Sequence, residues 1–312
     1  MRRISFADGQ IFEFNPDLKP VASVDPGEPF DVVCQDAGCG EIRNERDLLS
    51  KLDLSHVNGA TGPVEVRTAK VGDALRVLIR RIQTESQGWI GMGPEIGVLG
   101  ERPMPMRTRI VPIRNGIAVF SRNLRLRVRP HVGTIGVATA GPRLSTFYPH
   151  DHGGNLDTTE ITAGNAVYLP VAQPGAQLAL GDLHALMADG EVCGTAIEVG
   201  GTVRLRVDLV PGLGLHRPVV ETADAWMALG SAPSLDEAAK LATQDGVDLL
   251  ARGRDMSWED AYMLASIACD LRISQDVDPY RTCKLIIPKR LVPQLAGPGS
   301  PGGRSKGPSR TR

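Results

Sequence analysis

Between Gly181 and Gly194 the chain places Asp182, His184, Asp189 and Glu191 within a few residues of one another. An apolar, strand-like run, Ala176–Leu180, precedes them, and the Asp189-Gly190 step is a turn signal. The segment therefore reads as a strand, a turn and a return strand. Residues two apart on a strand share a face, so Asp182 and His184 point the same way. A tight return carries Glu191 back beside His184 and leaves Asp189 at the turn. Buried carboxylates repel one another unless a cation holds them, and no Lys or Arg occurs from Gly181 through Val203. A divalent metal is the cation this pattern asks for. One imidazole with carboxylates suits zinc, and a richer oxygen set suits calcium or manganese. The bland alternative is a solvated acidic hairpin carrying a lone His.

Two weaker patterns lie upstream. His150-Asp151-His152 puts two imidazoles two residues apart, a zinc-like spacing that loop histidines also show. Gly153-Gly154 follows, permitting positive φ and exposing backbone N–H groups, and then Asn155 and Asp157, again two apart. Asp36, between Cys34 and Gly38, is either a site acid at a strand end or an ordinary turn former. Other chemistries lack their signatures. There is no Gly-x-Ser-x-Gly elbow, no Gly-rich phosphate loop and no dinucleotide fingerprint.

The elements that must position these residues are short. Ile110–Ile113 and Ile117–Phe120 pair across Arg114-Asn115-Gly116, whose Asn-Gly step is a strong hairpin signal. Val203–Leu209 alternates with period two, and Val132–Val137 reads as a buried strand. No long amphipathic helix is expected before residue 225. Beyond it, Ser234 and Ser257 each stand three residues ahead of an acid, the capping-box spacing. The second helix is expected to gather Trp258, Ala261, Tyr262, Ala265, Ala268 and Cys269 on one face. A strand and a short turn are expected over 219–228, and a last strand at Lys284–Pro288.

Composition narrows the classes further. The chain has 312 residues, 42% hydrophobic and 23% charged, with a net charge of -1. It carries no basic stripe for nucleic acid and no apolar run of membrane-spanning length. Arg2 and Arg3 are not followed by the apolar region of a secretory signal. Five cysteines without a repeated CxxC argue against a disulfide framework and fit a reducing cytoplasm.

The residues also resemble a known family. Gly153-Gly154-Asn155-Leu156-Asp157 resembles the GGN-x-D motif of the acetamidase/formamidase family. Gly181-Asp182-Leu183-His184, continuing through Asp189-Gly190-Glu191-Val192-Cys193-Gly194-Thr195-Ala196 to Glu198, is similar to its long acidic motif. Matches at Asn58–Pro63, Gly133–Ala138, Asp270–Gln275 and Val277-Asp278-Pro279 follow in order from about residue 20 to 290. The resemblance implies a β-rich fold with an α+β part, a bound divalent metal, hydrolysis of formamide- or acetamide-like substrates, and homo-oligomers, commonly dimers. His150-Asp151-His152 departs from the pattern and implies a changed pocket.

These readings set definite expectations. The fold is mainly β, a jelly-roll-like or barrel-like metal-binding body over 1–214, with an α+β portion over 215–292 and a disordered basic tail over 293–312. His184 with Asp157, and one or more of Asp36, Asp182 and Asp189, holds the metal, zinc first and calcium second. Glu191 is the general base and then acid, and Asn155 with the N–H groups near Gly153 and Gly154 holds the oxyanion. The expected partners are a small amide and further copies of the chain, with neither nucleic acid nor membrane. The alternatives are a hydrolase of a larger amide or cyclic imide, and a non-catalytic β module with a structural metal.

Overall fold

The computed structural model describes residues 1–297. Most of the tail expected to be disordered lies outside the described residues. Among those described, the chain forms two large sheets, of nine and eleven strands, with a small two-stranded pair. The period-two patterns explain the arrangement. Along Pro29–Cys34 and Gly201–Val210, alternate residues are buried. Phe30, Val32, Val203 and Leu205 of the first sheet pack with Val132, Ile135, Leu178 and Leu180 of the second in one continuous core. Side chains from two sheet faces meeting in this way make a sandwich. The described residues contain no helix long and apolar enough to cross a membrane.

The Asn-Gly hairpin forms as its chemistry requires. Asn115 and Gly116 both take positive φ, 51° and 74°, and Ala118 pairs with Ile113. Both serines cap their helices, although the reciprocal bond of a full capping box is not formed by either acid among the described residues. Ser234 Oγ accepts from the Glu237 N–H ahead of α1 (Leu235–Arg254), and Ser257 Oγ accepts from the Asp260 N–H ahead of α2 (Trp258–Ala268).

Two details differ from expectation. The 215–292 portion is not a layer laid on a separate body, because the nine-stranded sheet runs across that boundary. Ala166–Pro170 pairs with Val219–Glu221, which pairs with Ala225–Ala232, then Arg281–Pro288 and, at the edge, Asp270–Gln275. The strand and turn expected over 219–228 form, and a second strand, Ala225–Ala232, follows the turn to complete a hairpin. On α2 only Ala261 and Ala265 are buried, whereas Trp258 and Tyr262 face outward. The small residues let α2 approach α1 closely, so the large ones are left outside.

Candidate active site

Leu178–Leu186, the central strand of the eleven-stranded sheet, carries the reactive stretch, and one backbone feature aims it. Leu178 and Leu180 lie in the core, but beyond Asp182 it is Leu183 and Ala185 that do. The inward parity therefore reverses at Asp182, whose φ is 51°. Asp182 and His184 are left together on the opposite face, where both line a cavity of about 480 Å³.

Neighbouring strands complete the cluster. Glu198 stands in register with His184 across the sheet. Asp157, at φ 39°, arrives just after Gly153–Asn155, and Glu191, at φ 47°, arrives from the loop beyond the strand. His184 Nε2 lies 3.3 Å from Asp182 Oδ1, 3.3 Å from Glu198 Oε2 and 3.7 Å from Asp157 Oδ1. Each of those three carboxylate oxygens is buried and has no hydrogen-bond partner among the described residues. Two overlapping sets of ligand atoms result: Asp157, His184 and Glu191, and Asp182, His184 and Glu198. Gly133 lies directly beneath, where a Cβ would come within 2.6 Å of both Asp157 Oδ1 and Asp182 Oδ2.

The electrostatics follow from burial and crowding. Burial pushes Asp157 and Glu198 up to about 7, with His184 opposing the rise and Asp182 adding to it. Burial, then the Asp157 charge, holds Glu191 well above the usual carboxylate range. Asp278 rises for the same two reasons. Burial opposes charge on His184, but the Glu198 and Asp182 carboxylates outweigh it and hold its pKa well above the ordinary value. Such a group needs protons or a cation among its oxygens. The donor set, one imidazole nitrogen with unpaired carboxylate oxygens, fits a divalent ion.

A buried support surrounds these groups. His184 Nδ1 lies 3.0 Å from Nε2 of His131, which is fully buried and held well below its usual pKa by burial and by His184. A neutral His131 whose Nδ1–H faces the Arg129 carbonyl accepts the His184 Nδ1–H and leaves His184 Nε2 turned to the carboxylates. Asn155 Oδ1 accepts from Thr134 Oγ1 at 2.6 Å, and its Nδ2 donates to Asp278 Oδ2 at 2.9 Å. Asn155 thus keeps one amide hydrogen uncommitted, at the cavity wall.

Of the expected site residues, Asp157, Asp182, His184, Glu191 and Asn155 are brought together, and Asp36 and Asp189 are not. Asp36 accepts from the Gly40 N–H and closes a turn, with burial raising its pKa to about 6. Asp189 binds Lys284 Nζ at 2.7 Å. The cation missing near it in sequence arrives from a distant strand. The expected return strand also fails to form, since only Ile197–Glu198 pairs back, and Glu191 reaches the site from a loop. Gly153 and Gly154 have positive φ, but the Gly153 N–H donates to the His150 carbonyl and neither glycine lines the cavity. Their role is close packing, since a Cβ would lie 2.3 Å from Ile135 O and 2.2 Å from Tyr148 O, respectively. His150 and His152 belong to an aromatic group with Phe14, Tyr148 and Tyr280, away from the cavity lining. Glu198 and Asp278 lie within the family-like stretches but their spacing assigns them no role, and His131 carries no local signal.

The architecture and the site have counterparts among known proteins. The acetamidase/formamidase family model matches residues 9–147 and 137–293. The structure of a predicted acetamidase/formamidase from Thermoanaerobacter tengcongensis superposes with a TM-score of 0.91 at 40% identity, covering 94% of this chain and 97% of that one. Acetamidase from Bacillus halodurans gives 0.91 at 38%, covering 94% and 99%. A formamidase from Methylophilus methylotrophus is 29% identical over 69% of this chain and 68% of its own length. The matches to curated relatives span 63% to 69% of those proteins. The likenesses define the class first, that of hydrolases acting on linear amide C–N bonds. Within it, this chain belongs to the acetamidase/formamidase family.

Proposed function

We propose that the protein hydrolyses short-chain aliphatic amides, of the formamide and acetamide kind, to carboxylate and ammonia with the help of a divalent cation. The observation that carries this reading is the convergence of three unpaired, buried carboxylate oxygens on His184 Nε2 at the floor of an open cavity. Asp157, Asp182, His184 and Glu198 would hold the cation, zinc before calcium, and Glu191 borders the same group. A bound divalent ion supplies a Lewis acid for the amide oxygen and lowers the pKa of water. The chain's own groups do the rest. Glu191 takes a proton from the attacking water as the C–O bond forms, and returns it to the nitrogen as the C–N bond breaks. Burial and the Asp157 charge hold its pKa above the usual carboxylate range, the direction that makes a carboxylate a better proton acceptor. The free amide hydrogen of Asn155 donates to the oxygen that gains negative charge. The five free thiols fit the cytoplasmic location expected.

A second reading is favoured by the cavity itself. At about 480 Å³, with Leu49, Leu54, Val57, Ile96, Met106 and Phe147 on its walls, it falls within the range of pockets that hold much larger ligands than formamide. An amide with a longer apolar acyl group fits that wall.

Ammonia release from formamide, acetamide, hexanamide and benzamide, before and after chelation, separates these readings. Activity on the first two that is lost on chelation and restored by zinc supports the main one, whereas a rise in kcat/KM with acyl length supports the second. No ammonia from any amide, or full activity in Glu191→Gln, overturns the mechanism.

A further inference from the structure

We infer that Asp270–Gln275, the last strand of the nine-stranded sheet, is where two copies of the chain join, edge to edge about a two-fold axis through Leu271. Among the described residues, this strand pairs with Arg281–Pro288 on one side only. Its C-terminal end is closed by the Glu191 loop, where the Gly190 N–H donates to the Ser274 carbonyl and the Gly190 carbonyl accepts from the Asp276 N–H. At its N-terminal end the chain enters directly from α2, which finishes at Ala268. Among the described residues, the stretch Asp270–Ile273 between them has no partner strand on its outer side.

Open edges in soluble proteins are normally blunted, and this one is dressed for a partner. Leu271 and Ile273 are 49% and 38% exposed. They lie opposite Leu285 and Cys283, on the helix side of the sheet. Next to them in sequence, α2 leaves Tyr262, Met263 and Ile267 exposed at 52%, 62% and 83%. Contiguous apolar exposure of this kind marks an association surface.

Charge identifies the partner as a second copy. A two-fold axis perpendicular to an antiparallel pair keeps opposed residues on one face, so it must pass through a residue. Centred on Leu271, it sets Asp270 opposite Arg272 of the second copy, twice, and Leu271 opposite Leu271. Centred on Arg272, it sets two guanidinium groups face to face and needs Ser274, which the Gly190 loop already occupies. Asp270 and Arg272 are mostly exposed, and among the described residues their only ion pair is a long one to each other at 3.5 Å. A lone lysine would repel its two-fold mate, whereas an acid and a base two residues apart attract theirs. The same axis puts both α2 helices on one side, where their exposed apolar side chains face each other.

Sedimentation of the full chain across a micromolar concentration series tests this. The wild type is expected to be a dimer or a multiple of one. Asp270→Arg should raise the dissociation constant of that step roughly tenfold or more, since it sets like charges opposite at two places. Arg272→Asp should do the same, and the doubly reversed Asp270→Arg/Arg272→Asp chain should recover wild-type association. Circular dichroism melts confirm that each variant is folded, as expected for exposed positions. A monomeric wild type, equal association by all four proteins, or a double variant no better than either single one would overturn the inference.

Discussion

Lys284 Nζ lies 2.7 Å from Asp189 Oδ1, two residues before Glu191, and 2.7 Å from Glu160 Oε2. The ammonium is fully buried in Arg281–Pro288, while its two carboxylates are partly exposed. This ion group ties the Glu191 loop to the sheet. Lys284→Met should cost about 3 kcal/mol, the low end for a broken buried pair, because the stranded carboxylates can reach water. Denaturant unfolding reads the loss. A fall in kcat at unchanged KM would show that the loop no longer holds Glu191 in place.

His131 acts through His184 rather than on substrate. His131→Ala removes the acceptor of the His184 Nδ1–H, so divalent-ion affinity should fall about 10–100-fold. Calorimetric zinc titration of the apo protein measures it directly. An unchanged affinity would mean that His131 merely fills space.

Gly133→Ala tests the floor of the site. The added Cβ would stand 2.6 Å from two of the carboxylate oxygens, pushing them apart. Ammonia release should drop about a hundredfold, the usual cost of misplacing reactive groups by an ångström. Stability should fall by only about 1–3 kcal/mol, and comparison of kcat with urea midpoints separates the two effects.

His152 gives a pH signature. Burial, with His150 adding, lowers its pKa from 6.5 to about 3, and neither ring nitrogen has a partner among the described residues. The unfolded chain therefore binds one more proton than the folded one between those values. Stability from this group is complete above 6.5 and is lost as pH falls toward 3, by about 1.4 kcal/mol per unit. His152→Phe, which keeps the edge contact with Phe14, should flatten the wild-type decline between pH 6 and 4 by about that slope. Identical slopes would show that the ring is hydrated and titrates normally.

What could be read in advance was what local chemistry decides. The Asn115-Gly116 turn, the Ser234 and Ser257 caps, and the common face of Asp182 and His184 all follow from spacing over a few residues. What could not be read depends on strands meeting from far apart. Glu198 and His131 become neighbours of His184 only through sheet register. Lys284 reaches Asp189 across 95 residues, and its absence locally made Asp189 look like a ligand. Asp278 enters through Asn155, 123 residues away. The return strand misled for a subtler reason, because Asp189-Gly190 does turn the chain but Gly190 pairs with the Asp270–Gln275 strand instead of its own predecessor.

Asp157, Asp182 and Glu191 all adopt left-handed backbone, at φ 39°, 51° and 47°. Glycine is the residue at ease there, so the chain accepts local discomfort at the three places where it needs an acid. Replacing any one of them with glycine should relax the main chain and thin out the crowded negative charge in one stroke. After chelation, such inert proteins should melt at higher temperature than their active parent. Durability and catalysis would then be in direct opposition at these three positions.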